Sequence, residues 1–182
     1  MGYRDMTPIL AQEPVFGEPD SREEFGLHDR ASIRRLTETC FSTSDVRQSH
    51  ALFIIDANTS RQFSGTEGHP FGDAALKDIA ATLRRTFRRS DCIGRLDADA
   101  FLVLLKDVQI GRLSEKRGHE FCSALKALSA AQGKNAPACS IGVAAYPENG
   151  TTFEAVYACA DAARHKARDC GRNQVVFALR KV

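Results

Sequence analysis

Two strand-like segments, Asp91-Cys92-Ile93-Gly94 and Leu102-Val103-Leu104-Leu105, follow one another with only a short polar turn between them. So short a connection joins antiparallel strands, because parallel neighbours need a crossover of roughly a dozen residues or more. The other apolar segments of the chain alternate between helical and extended periodicity. A strictly alternating α/β fold is therefore disfavoured. An α+β fold, with helices layered on one sheet, fits better.

The flanking segments supply the rest of that plan. From Asp29 the spacing of Ile33, Leu36 and Cys40 is helical, with Asp29 as the N-cap. Ala51-Leu52-Phe53-Ile54-Ile55 is a continuous apolar run ending in Asp56, which predicts a buried central strand with an acid at its exposed C-terminal end. Gly65, Gly68, Pro70 and Gly72 then break the chain. Over residues 73–89, Leu76, Ile79, Leu83 and Phe87 share one helical face, and the arginines lie away from it. A helix over residues 113–128, a loop over 133–137 and a strand over 138–144 follow. A helix over 153–168, with Val156, Cys159, Ala160 and Ala163 inward, and a strand over 174–178 complete the chain. The order is α-β-α-β-β-α-β-α-β. Residues 1–24, with Pro8, Pro14, Gly17 and Pro19, read as a loosely packed leader, and residues 25–182 as one domain. The leader is too short to fold as a sensor, so the input comes from a separate protein or the chain is part of a longer one.

Bulk properties exclude several classes. A net charge of +2 over 182 residues gives no global field for a nucleic-acid polymer or a membrane surface. No stretch approaches the roughly 18 apolar residues of a membrane helix, and no signal-peptide pattern opens the chain. The six cysteines include no C-x-x-C pair, so metal-ligand spacing is absent, and they read as small buried hydrophobes in a reducing cytosol. A cytoplasmic location is expected.

Six sequence blocks then converge on one family. They are Gly26-Leu27-His28-Asp29-Arg30, Asp56-Ala57-Asn58, Gly68-His69-Pro70-Phe71-Gly72-Asp73-Ala74-Ala75-Leu76, the turn Arg95-Leu96-Asp97-Ala98-Asp99-Ala100-Phe101, Ser140-Ile141-Gly142-Val143-Ala144, and Ala160-Asp161 through Gly171-Arg172-Asn173. In this order, spread over residues 25–178, they resemble the GGDEF family of diguanylate cyclase domains. The resemblance implies a mostly antiparallel five-stranded sheet flanked by helices, with a ferredoxin-like core of the kind found in nucleotidyl cyclases and polymerase palms. It also implies a reaction in which the ribose 3′-hydroxyl of one GTP attacks the α-phosphate of another. Two such domains must face each other for this, so a homodimer is implied.

The same resemblance assigns residues. Asp56 and Asp99 fall at the metal-carboxylate positions, with the Ala57 carbonyl as a third oxygen, and magnesium is the implied ion. Ser64 and Asp73 fall at the guanine-reading positions, Ser64 in place of an Asn. Arg168 and Arg172 fall at phosphate positions, with Thr59, Ser60 and Arg61 in the phosphate loop. Arg88 and Asp91 match the Arg-x-x-Asp site that binds the product cyclic di-GMP. There an Arg fork grips phosphate or a guanine edge and the Asp accepts from guanine N–H groups. Arg84, Arg85, Arg112 or Arg117 would support them.

The signature turn departs from Gly-Gly-Asp/Glu-Glu-Phe. Asp97 and Ala98 replace the glycines, Asp99 and Phe101 keep their places, and Ala100 removes a carboxylate. A Cβ and a negative charge now stand where backbone should approach an anionic nucleotide, and alanine neither binds metal nor moves a proton. Losing one hydrogen bond to a buried base costs on the order of 1–3 kcal/mol more. The expectation is a catalytically impaired domain that acts as a cyclic di-GMP receptor or a regulatory interaction module. The alternatives are a weak diguanylate cyclase and a GTP-binding domain without turnover.

Overall fold

A computed structural model describes residues 25–45, 47–58, 73–108, 112–133 and 138–179. The expected leader, together with Thr59, Ser60, Arg61 and Ser64, lies outside the described residues. The elements are α1 (Arg30–Thr43), β1 (His50–Asn58), α2 (Asp73–Thr86), β2 (Cys92–Arg95), β3 (Ala100–Leu105), α3 (Arg112–Ala131), β4 (Ala138–Tyr146), α4 (Phe153–Asp169) and β5 (Gln174–Phe177). This is the order read from the sequence. The Asp29 carboxylate accepts from the Ser32 amide at 2.7 Å and caps α1 as expected.

The strands form one sheet in the order β2-β3-β1-β4-β5. β2–β3, β3–β1 and β1–β4 pair antiparallel, and β5 joins β4 in parallel. β1 is central because it is apolar on both faces, which only a strand covered on both sides tolerates. Phe53, Ile55 and Ala57 join Leu76, Ile79, Leu83, Phe121 and Leu125 in the core under α2 and α3. Leu52 and Ile54 join Ile33, Phe41, Val156 and Ala160 under α1 and α4. Alternation along the strand produces these two cores, and each fully buried Leu, Ile or Phe contributes about 1.5–3 kcal/mol.

Two glycines set how closely the α1/α4 layer approaches. A Cβ on Gly94 would collide with the Ile33 side chain, and one on Gly142 with the Ala160 carbonyl and the Arg164 amide. At Gly142 the obstacle is helix backbone, so α4 can lie against β4 only over a residue without a side chain. Gly142 pairs with Ile54 of β1, and the next same-face pair along the register is Ser140 with Asp56. The close approach therefore brings α4 over Asp56.

Three expectations need correction. Asp56 does not mark an exposed strand end: β1 runs on to Asn58, and Asp56 is only 4% exposed. The strand continues because Asp56 pairs with both Ala100 and Ser140. β3 begins at Ala100 rather than Leu102, since Ala100 and Phe101 already pair with β1, and the turn contracts to residues 96–99. The cysteines are not uniformly buried: Cys92, Cys122 and Cys139 are, Cys40 and Cys159 are partly exposed, and Cys170 at the end of α4 is exposed. All six are free thiols. Among the described residues no helix is long and apolar enough to cross a membrane.

Candidate nucleotide site

A cleft of about 300 Å³ opens where β1, the β2–β3 turn, the start of α1 and α4 converge. Its lining includes Arg30, Asp56, Asp99, Tyr157, Arg164 and Arg168, with Asp97 and Asp161 also present. Strand alternation puts Asp56 on this face, in the row that begins Leu52, Ile54. The β2–β3 hairpin delivers Asp99, whose carbonyl accepts from the Ala57 amide at 2.9 Å. That bond ties the turn to β1, so the two acids expected from the sequence are brought to one place.

Asp56 is held unevenly. Its Oδ2 accepts from Arg164 Nη1 at 2.9 Å and lies 3.6 Å from Arg168 Nη1. Its Oδ1 is buried and has no hydrogen-bond partner among the described residues. The Oγ of Ser140, directly across the strand pair, is likewise buried and unpartnered. Burial, and then the neighbouring Asp99 charge, push the Asp56 carboxyl above its ordinary value, while Arg164 and Arg168 pull it back. An unmet buried carboxylate oxygen costs free energy unless something completes it.

The turn itself is tightly occupied. The Ala98 amide donates to the Asp97 carboxylate at 2.8 Å. The Arg95 guanidinium donates to the Asp97 and Ala98 carbonyls at 3.1 and 3.3 Å. The Ala98 amide is thus bonded to a carboxylate of its own chain.

The other assigned residues are dispersed. Arg168 lines the cleft, whereas Arg172 lies outside that lining, exposed in the turn after α4 with a φ of 62°. Asp73 opens α2. Arg88 is exposed, and Asp91 beside it is 4% exposed. The Asp91 Oδ2 accepts from the Arg88 amide at 2.8 Å, and the Lys106 backbone also bonds to this carboxylate. Burial pushes this carboxyl up, opposed by the Arg88 hydrogen bond and charge. Of the supporting arginines, Arg117 reaches the end of α2: its Nη1 donates to the Thr86 carbonyl at 3.0 Å and pairs with Glu120 at 3.1 Å.

Sequence reasoning missed Arg164, along with cleft roles for Arg30 and Tyr157. A signal for Arg164 was there: Asp161, Arg164 and Arg168 recur at the spacing that aligns side chains on one helix face.

An antiparallel core with helices on both faces, and acids on β1 and in the β2–β3 turn, defines a palm-like nucleotidyl-cyclase fold. The sequence profile described as "Diguanylate cyclase, GGDEF domain" matches residues 26–174, and the chain belongs to the GGDEF domain family. The diguanylate cyclase DgcP of Pseudomonas aeruginosa is 30% identical over 165 residues, covering 84% of this chain and 23% of that protein. The crystal structure of the GGDEF domain of TpbB from Pseudomonas aeruginosa superposes with a TM-score of 0.76 at 25% identity, covering 87% of this chain and all of that one. The diguanylate cyclase SiaD from Pseudomonas aeruginosa, solved in complex with its activator SiaC, has a TM-score of 0.73 at 27% identity, covering 86% of this chain and 61% of that one. The chain spans 17% to 31% of the length of the first curated relatives it matches.

Proposed function

We propose that this chain serves cyclic di-GMP signalling as a GGDEF domain that no longer condenses GTP, acting as a cyclic di-GMP receptor and regulatory module. The observation that carries the loss of turnover is the turn. The Asp97 carboxylate occupies the Ala98 amide, so a phosphate arriving there meets a negative charge instead of a donor. Ala100 adds no group able to move a proton, and its place within β3 fixes it beside Asp56.

Receptor function draws support from Arg88 and Asp91. Asp91 is a buried carboxylate beside exposed Arg88, and guanine N1–H and amino groups are donors that a carboxylate accepts. Exposed Arg88 supplies the phosphate fork. Calorimetric titration with cyclic di-GMP is expected to give saturable heat that Arg88→Ala and Asp91→Ala abolish. No heat at saturating ligand would sink the receptor. Incubation with GTP and magnesium or manganese is expected to yield no cyclic di-GMP by mass detection. Product that disappears in Asp56→Ala would instead establish a weak cyclase.

One observation favours a second reading, nucleotide binding in the cleft without turnover: Arg30, Arg164 and Arg168 all line it. The unmet Asp56 Oδ1 is a hard oxygen of the kind magnesium takes, so the donor chemistry fits that ion. Asp56 and Asp99 would hold it, and bound there it would neutralise triphosphate charge. Among the described residues no three His, Cys, Asp or Glu side chains form a metal cluster, so the phosphates or water would complete the shell. GTP with magnesium is then expected to raise the melting temperature without forming product. Such a module would work on the cytoplasmic side, with a second copy or a separate sensory or effector protein as its partner.

A further inference from the structure

Arg164 is too well held to be a stray surface charge. Its Nε and Nη2 meet Asp161 Oδ1 at 2.9 and 2.8 Å, which leaves Nη1 aimed at Asp56 Oδ2 at 2.9 Å. The side chain is only 15% exposed. A guanidinium gripped through two of its nitrogens is pre-organised, so little conformational freedom is lost in presenting the third. Burial works against its charge, and Asp161 and Asp56 more than compensate, holding its proton more tightly than usual.

The position has a definite electrostatic meaning. Four acids (Asp56, Asp97, Asp99 and Asp161) and three arginines (Arg30, Arg164 and Arg168) line the cleft. A divalent ion at Asp56 would bring its charge to the carboxylate that Arg164 already neutralises. Two cations on one carboxylate repel each other, and at close range in a partly buried site that repulsion is large. The Arg164 backbone is fixed close to the sheet, because its amide lies against Gly142 where α4 rests on β4.

We propose that Arg164 is a tethered counter-cation that takes the charge position of a divalent ion at Asp56, so that the cleft admits such an ion only when the guanidinium is displaced. Asp161 is the latch that keeps it there. The proposal rests on the reading of Asp56 and Asp99 as cation ligands and is independent of cyclic di-GMP binding. Arg164 is a positioning residue in this scheme, since it acts through Asp56.

The test is titration of Mn²⁺ without nucleotide at pH 8, followed by the loss of the free-ion electron paramagnetic resonance signal. The wild-type chain is expected to bind weakly. Arg164→Gln, which keeps a hydrogen-bonding side chain of similar reach, is expected to bind at least tenfold more tightly, and Arg164→Ala the same. Arg164→Lys, which restores the charge, should return to wild-type behaviour, a rescue that a merely structural role would not require. Asp99→Asn added to Arg164→Gln should abolish the gain. Equal Mn²⁺ affinity in wild type and Arg164→Gln, lost with Asp99→Asn, overturns the counter-cation role and leaves the two acids as ligands. No binding by any variant overturns both.

Discussion

His50 and Asp56 sit near opposite ends of β1, on the same face, and are buried to 2% and 4% exposure. Their surroundings differ in kind. The Nδ1 of His50 accepts from the Asp107 amide at 3.1 Å, and its Nε2 meets the Ser44 hydroxyl at 2.6 Å. The amide donor fixes the tautomer, so Nε2 carries the proton and donates to Ser44, whose hydroxyl passes its own to the Cys40 carbonyl at 2.6 Å. Phe41 and Tyr146 pack around the ring, with Phe41 stacked 4.8 Å from Tyr146. Asp56, by contrast, has two arginines at one oxygen and, among the described residues, no partner at the other. A buried polar group with every partner present is part of the scaffold. One paired at a single oxygen, on a residue that lines a cleft, is where the proposed binding reading of this chain places its ligand.

The harshest way to break this contrast is Arg164→Ala. It strips the main partner from a buried carboxylate and is expected to destabilise the chain by about 3 kcal/mol in urea unfolding at pH 8. A loss near zero would mean that Arg168 or water already suffices, and the two ends of β1 would differ less than described. Gly142→Ala comes next, at about 1–3 kcal/mol, because the new methyl meets helix backbone that cannot step aside. It should loosen the Asp56 end while leaving the His50 cluster intact, which the chemical shifts of Ser44 and Asp107 would report.

Acid pulls the two ends in opposite directions. Burial lowers the His50 pKa, opposed by Asp107. The unfolded chain therefore takes up a proton that the folded one refuses, and stability present above about pH 6.5 is lost as pH falls through that value. The slope cannot exceed about 1.4 kcal/mol per pH unit for this one proton. For Asp56 the shift is upward. Between about pH 3.8 and its raised value the folded state holds the extra proton, so this group destabilises as pH rises through that window. His50→Phe should flatten the fall of the unfolding free energy as pH drops below about 6.5. A slope unchanged in His50→Phe would assign the acid sensitivity elsewhere. The smallest expected effect is that of Ser140→Ala, a gain of up to about 1 kcal/mol, because it removes a buried hydroxyl that makes no hydrogen bond among the described residues. A large loss in differential scanning calorimetry would show that the hydroxyl has a structural partner after all.

Most of the fold was legible because each element carries its own local signal. The β1 run, the α2 face of Leu76, Ile79 and Leu83, and the Asp29 cap depend on neighbours in sequence. What local pattern missed lies at the edges of the pairing: β3 reaches back to Ala100, and β1 runs past Asp56, because partner strands extend what hydrophobicity alone would end. Of the expected site residues, Asp56, Asp99 and Arg168 line one cleft, yet Arg164 passed unnoticed because its partner Asp56 is remote in sequence.

The sequence by itself determined the order of the elements, the family, and the substitutions in the signature turn, since these are matters of residue type and short-range spacing. Only the tertiary structure decided which groups those residues and the β1 acid meet. Packing of α4 onto Gly142 sets a guanidinium on the Asp56 carboxylate, and the folded turn closes the Asp97 side chain onto the Ala98 amide. Charge and burial at those atoms depend on segments that only the fold brings together.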